Sequence, residues 1–104
     1  MLAADVFRAL ADPTRRAVFE RLSQGEMNVT QLKAGFDVSQ PAISQHLSAL
    51  KDAGLVWERR EGRHAYYRSD PQGLAPLADW VQRYKVLWPE RIEKLKQVLE
   101  DLNP

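Results

Sequence analysis

Cysteine is absent from the 104 residues. Disulfides, thiolate metal sites and thiol redox chemistry are therefore excluded. No apolar run approaches the ~18 residues of a membrane span. The opening Met1-Leu2-Ala3-Ala4-Asp5 has no basic n-region, so a soluble cytoplasmic protein with no membrane partner is expected. An excess of one charge is also missing: 15 basic against 14 acidic side chains leave a net charge of +1. Any affinity for a polyanion must then come from where the cations sit. Low-complexity tracts and internal repeats are absent. A phosphate-cradling glycine loop, a Ser-His-Asp order and paired carboxylates in a plausible pocket are missing as well, and no enzyme is expected. The only imidazoles are His46 and His64. With no thiolate beside them they do not make up the four converging ligands of a zinc site, so neither metal nor cofactor is expected.

What is present is a hydrophobic fraction of 44%, enough for one domain over residues 1–104 with a modest core. The chain is organised around Val38-Ser39-Gln40-Pro41-Ala42-Ile43-Ser44-Gln45-His46-Leu47-Ser48-Ala49-Leu50. Ser39 is a natural N-cap and Pro41 suits a first helical turn, where its missing N–H costs nothing. Ile43, Leu47 and Leu50 recur at i, i+4 and i+7, one apolar stripe of a 3.6-period helix. The opposite face carries Pro41, Gln45, Ser48 and Asp52, flanked by Ser44 and Ala49. Around Gln45 it is small or amide-bearing and nearly uncharged, whereas an ordinary solvated helix would carry Glu and Lys. Short polar side chains let a helix lie deep in a DNA major groove, and Gln can bond adenine bidentately. The spacing predicts a recognition helix.

Upstream, residues 2–11 read as a helix with Leu2, Val6, Phe7 and Leu10 on one side. Asp12-Pro13 marks a boundary: an N-cap aspartate, then proline at the first helical position. A second helix to about Ser23 buries Val18, Phe19 and Leu22, exposes Arg15 and Arg16, and is closed by Gly25. Asn28 or Thr30 then caps a short third helix carrying Leu32 and Phe36. Two short helices joined by a tight turn, the second with a polar outer face, make a helix-turn-helix over about 29–53.

After Gly54, two β-rich runs, Leu55–Arg60 and His64–Ser69, flank a glycine-containing turn; they form a hairpin over about 55–69 whose arginines outnumber its glutamates. A basic hairpin directly after a helix-turn-helix is a wing. From Asp70-Pro71 the pattern is helical again over about 71–102. Leu74, Val81, Trp88, Leu95 and Leu102 fall seven apart, with Leu77, Tyr84 and Val98 at partner positions, a heptad-like seam. Pro89 interrupts it, predicting a kink or break near Trp88 and a restart with Glu90 in the new first turn. The fold class is therefore mainly α with a small β-hairpin, a winged helix-turn-helix in the order α-α-α-α-β-β-α.

Candidate DNA contacts follow from this layout. Gln40 and Gln45 are placed for base edges, Pro41, Ser44 and Ser48 line the same face, and Ser44 serves base or phosphate. Thr30 and Gln31 begin the preceding helix, whose N-terminus suits phosphate. Arg63 at the wing tip is placed for backbone or minor groove, with Arg60 and His64 beside it. A bland reading stands next to each: soluble surface for the helix, a locally paired charged hairpin for the wing, with Glu58 and Glu61 as the partners. His46, about 60° from the apolar stripe on a helical wheel, is expected to hydrogen-bond within the motif.

Three ordered motifs, Phe7-Arg8-Ala9-Leu10-Ala11-Asp12-Pro13-Thr14-Arg15-Arg16, then Ser39 to Leu50, then Gly54-Leu55-Val56 with Arg60-Glu61-Gly62-Arg63, closely resemble the ArsR family of small bacterial winged-helix repressors, over residues 2–90. The resemblance implies a homodimer built on the first and last helices and bound across a palindromic operator in double-stranded DNA. It places Val6, Leu10, Leu77, Val81, Tyr84 and Trp88 at the dimer interface. Many members sense metals through cysteines near the helix-turn-helix or Asp, His and Glu clusters on the terminal helix. Here Asp79 has no histidine after it, and the chain looks like a subgroup without those ligands.

Three functions compete. The first is a dimeric repressor that occludes its operator. The second is a sensor whose unknown effector binds at the dimer interface among Trp80, Tyr84 and Trp88. The third is a winged-helix module that binds protein, although such modules carry acidic or apolar recognition faces and Gln40 to Ser48 is neutral and polar.

Overall fold

Proline and aspartate punctuate the start of the chain as expected. In the computed structural model, which describes residues 2–87 and 89–102, α1 spans Ala3–Ala11 and α2 spans Pro13–Leu22. Between them the Asp12 carboxylate accepts the Arg15 backbone N–H at 3.0 Å, with Pro13 in the first turn. The helices α3 (Val29–Lys33) and α4 (Gln40–Asp52) follow. Asn28, not Thr30, caps α3, in a reciprocal box with Gln31: Asn28 Oδ1 accepts the Gln31 N–H at 2.8 Å and Gln31 Oε1 accepts the Asn28 N–H at 2.9 Å. Ser39 Oγ accepts the Ala42 N–H at 3.2 Å to start α4.

The end of α4 is a Schellman turn. The Leu55 N–H reaches the Leu50 carbonyl at 2.9 Å and the Gly54 N–H reaches Lys51 at 3.0 Å. Gly54 has φ +75°, a left-handed conformation that a side chain would strain. The chain then enters β2 (Val56–Glu61) and β3 (His64–Ser69). These pair antiparallel from Val56↔Ser69 to Glu61↔His64, leaving Gly62-Arg63 as a two-residue loop. Gly62 leads that loop with φ +61°, as a type II′ turn requires.

One strand was not anticipated. Met27–Asn28 forms β1, pairing antiparallel with β3 through Met27↔Tyr67 and Asn28↔Tyr66, so the sheet has three strands in the order β1-β3-β2. Two residues carry no detectable alternation, and only β3 gives them strand geometry.

A turn of 3-10 helix, Pro71–Leu74, leads to α5 (Ala75–Leu87) and α6 (Pro89–Leu102). The expected kink or break falls at Trp88, outside the described residues, whereas Glu90 does lie in the first turn of α6.

The core joins α1 to α4 and the start of the sheet: Val6, Ala9, Val18, Leu22, Leu32, Ile43, Leu47, Leu50, Ala53, Leu55 and Val56 are buried. Leu10, Phe19, Phe36, Leu74 and Leu77 pack partly exposed around it. Ser69 ties the hairpin's end to α2, its hydroxyl donating to the Phe19 carbonyl at 2.6 Å. The apolar side of α1 is only partly covered by the chain. Val6 turns inward, whereas Leu2 and Phe7 are 73% and 41% exposed. The C-terminal region makes the molecule long: its extents are 53 × 32 × 20 Å and its radius of gyration is 16.6 Å, against about 13 Å for a compact domain of this length.

Candidate nucleic-acid interface

The recognition helix is oriented by its own stripe. Ile43, Leu47 and Leu50 are buried, and that fixes the rotation of α4 about its axis. Gln40, Pro41, Ser44, Gln45 and Ser48 are all exposed as a result. Between Gln40 and Leu50 no carboxylate or ammonium interrupts the helix; Lys51 and Asp52 close its far end. Lys51 turns back to the sheet and pairs with Glu58 at 3.2 Å, which holds the Glu58 carboxyl below the usual carboxylate range.

His46 lies at the edge of the buried stripe. Its Nδ1 accepts a hydrogen bond from Arg15 Nε at 3.4 Å, linking α2 to α4. Arg15 is half-buried by this contact, contrary to the exposed position expected for it, while Arg16 is exposed and donates to the Leu10 carbonyl at 3.1 Å. The Asp12 carboxyl, which takes the Arg15 backbone N–H and feels His46 and Arg15 nearby, is also held low. The inner side of α4 is thus anchored by packing and one polar link, and the outer side is left to solvent.

Thr30 and Gln31 are exposed at the start of α3. The Gln31 carbonyl oxygen is committed to the cap, which leaves its amide NH2 as the group available to a phosphate.

Ion pairs divide the wing arginines into two kinds. Arg59 Nη2 donates to Glu26 Oε1 at 2.6 Å and its Nη1 to Glu61 Oε2 at 2.8 Å; Arg60 Nε donates to Glu58 at 3.0 Å. Arg68 lies over the Trp57 ring at 4.4 Å. Among the described residues no carboxylate pairs with Arg63, which stands exposed at the loop with His64 beside it. Local pairing therefore accounts for Arg59 and Arg60, and the tip keeps one uncompensated guanidinium. Arg60 remains exposed but enters any DNA contact already paired.

A second surface lies away from α4. Phe7 on α1 meets Trp80 on α5 edge-to-face at 5.2 Å between ring centroids, and Trp80 meets Tyr84 at 4.4 Å. All three rings, with Val81, stay 38–47% exposed. Of the residues assigned to a dimer interface, Val81 and Tyr84 lie on this patch, Leu10 and Leu77 pack against the core, and Trp88 lies outside the described residues. Val6 is the exception. It is wholly enclosed by the chain's own core and presents nothing to a partner. Phe7, its neighbour, is the α1 residue on the patch. On a helical wheel the two differ by 100°, and both are apolar, so periodicity alone does not say which faces inward.

A three-stranded sheet behind a helix-turn-helix, with a polar second helix and a projecting hairpin, defines a winged helix-turn-helix protein. Residues 12–57 match the family described as bacterial regulatory protein, arsR family. Over 94 residues the chain is 42% identical to the HTH-type transcriptional regulator Rv2034 of Mycobacterium tuberculosis, covering 90% of this chain and 85% of that one. It is 34% identical to the transcriptional repressor SdpR of Bacillus subtilis, covering 77% and 89%. The solution structure of Mb0332 from Mycobacterium bovis, a homodimeric winged helix-turn-helix DNA-binding domain and possible ArsR-family regulator, is 37% identical with a TM-score of 0.64, covering 78% of this chain and 75% of that one. The chain belongs to the ArsR family and is a DNA-binding transcriptional regulator.

Proposed function

We propose that the protein is a homodimeric repressor that reads a palindromic operator through α4 and grips its flanks with the wing. The observation that carries this reading is the outer face of α4: five exposed, uncharged side chains from Gln40 to Ser48 on a helix whose other side is locked in the core. Such a face has little to offer a protein partner, yet it fits a major groove, where Gln40 and Gln45 pair with base edges and Ser44 and Ser48 with bases or phosphates. Thr30, the Gln31 amide and Arg63 supply contacts to the sugar-phosphate backbone.

The dimer is built on the ring patch of α1 and α5. Phe7, Trp80, Val81 and Tyr84 form one continuous exposed surface of the kind that interfaces bury. A two-fold axis through it sets two recognition helices about 34 Å apart, one turn of B-DNA. Leu95, Val98, Leu99 and Leu102 extend the apolar surface along α6, each more than half exposed, and lengthen the same interface. Repression follows by occlusion of the promoter, in the cytoplasm, with no metal or cofactor required.

One observation favours an effector-responsive variant of this reading. A cleft of about 380 Å³ beside the ring patch is lined by Leu2, Ala3, Pro76, Asp79, Trp80 and Arg83, and a small molecule seated there would press on the dimer contact.

Titration of the protein against its own upstream DNA and against random duplex, at several salt concentrations, tests the function. Discrimination of at least about a thousandfold is expected. Equal affinity for both duplexes would overturn the reading. An operator affinity unchanged by metals and by cell extract would remove the effector variant alone.

A further inference from the structure

The wing has only a short root in the body of the protein. β3 meets β1 at just two residues, Tyr66 and Tyr67, and beyond Tyr66 the hairpin projects as two strands. A two-stranded ribbon is marginal on its own. Its angle to the recognition helix is set by the Lys51–Glu58 pair, which ties α4 to β2, and by what crosses the sheet near Tyr66.

One side chain does cross it. Arg59 stands on β2, at one edge of the sheet, and Glu26 immediately precedes β1 at the other edge, 33 residues away in sequence. The Arg59 guanidinium spans the gap. Nη2 and Nε grip the two oxygens of Glu26 at 2.6 and 3.3 Å, and the plate lies 4.8 Å from the centroid of Tyr66, the residue directly opposite Arg59 on β3. The third nitrogen, Nη1, holds Glu61 at 2.8 Å, and Glu61 adjoins the Gly62-Arg63 loop. A single planar group thus joins all three strands and reaches the tip. A lysine, a point charge with no fork, could not do so.

The geometry points to Glu26 as a positioning residue for DNA binding: through Arg59 and Glu61 it sets the angle of the wing and so aims Arg63 at the operator backbone. This rests on the operator-binding reading above. It also explains why a hairpin meant for a polyanion carries acidic residues: they spend the charge of Arg59 and Arg60 on geometry and leave Arg63 to make the contact. Exposed ion pairs of this kind contribute little to folding, so the clamp should reveal itself in DNA binding and not in stability.

The test is the charge-balanced pair Glu26→Gln with Arg59→Gln, compared with wild type, with Arg63→Ala and with the triple variant. Operator affinity is measured across a salt series, alongside hydroxyl-radical footprints and thermal melts. The expected result is a wild-type melt, operator binding weaker by about two- to fivefold, a shallower salt dependence, and loss of protection at the flanks only. In the Arg63→Ala background the pair should cost nothing further, and Glu26→Asp, which keeps the carboxylate, should retain part of the wild-type affinity. A pair of substitutions that binds and footprints like wild type would overturn the clamp, as would a loss that adds in full to that of Arg63→Ala. Wild-type protein that fails to distinguish operator from random duplex would instead bring down the functional reading itself, and that result is seen before any variant is made.

Discussion

Gln45 is the residue on which sequence discrimination should turn. It projects from the middle of the exposed face of α4, and its amide is the group best able to pair with a base edge. Gln45→Ala is expected to weaken operator binding by about 1–3 kcal/mol while leaving affinity for random duplex unchanged, which a competition titration resolves. Gly73 is decisive for a different reason: a Cβ there would collide with the Gly54 carbonyl oxygen, where the turn before α5 crosses the end of α4. Gly73→Ala should cost about 1–3 kcal/mol in a denaturant melt, because backbone must move on both sides. The carboxyls of Asp12, Glu26 and Glu58 all ionise more readily in the folded chain, held chiefly by the Arg15 N–H, Arg59 and Lys51 respectively. Their folded values lie below the unfolded ones, so what they add to stability, most of it from the Asp12 cap because exposed pairs such as Glu26–Arg59 add little, is complete above about pH 4.5 and is lost as pH falls through the folded values. Thermal melts should be flat from about pH 6 to 8 and fall below about pH 4.

At the level of elements, α4 and the wing are held in different ways. The helix is held rigidly, with a Ser39 cap at one end, the Gly54 turn at the other and three buried side chains between. The wing is held by Ser69 at its base and by polar contacts across the sheet. Arg63→Ala is expected to lower the slope of log affinity against log salt by about one per subunit, on operator and random duplex alike, since a phosphate contact carries no sequence information. Asp12→Ala removes the cap of α2, the helix whose Arg15 holds His46. A loss of about 1 kcal/mol in stability is expected, read by the midpoint of chemical unfolding.

For the whole molecule, the exposed ring patch and the length of the C-terminal region belong together. A chain of this size that leaves Phe7, Trp80 and Tyr84 partly open, and extends Leu95, Leu99 and Leu102 beyond its core, has surface suited to a second copy. Trp80→Ala should raise the dimer dissociation constant by roughly thirtyfold, a hot-spot loss of about 2 kcal/mol, measured by sedimentation. On the proposed reading two half-sites are bound together, so the same variant should lose operator affinity and keep its binding to a single half-site. Trp80→Ala that sediments as wild type would move the interface elsewhere.

Much of this architecture was determined by residues that find their partners within a few positions. Asp12-Pro13, Ser39 with Pro41, Gly54 and Gly62 each mark a boundary because a cap or a left-handed turn is satisfied locally, so the helix-turn-helix, the hairpin and the outer face of α4 were legible before any fold was known. What remained required distant segments to meet. Two residues became β1 only because β3 lay beside them. Val6 and Phe7 share an apolar helix face, and only the placement of α2, α4 and α5 around α1 sent one into the core and the other to the surface. Arg15 was drawn out of solvent by His46, 31 residues on, and Arg59 was bound to Glu26 across 33. Local chemistry decides where elements begin and end. Which charges are paired within the fold, and which stay exposed at its surface, is decided only when the sheet and helices close on one another.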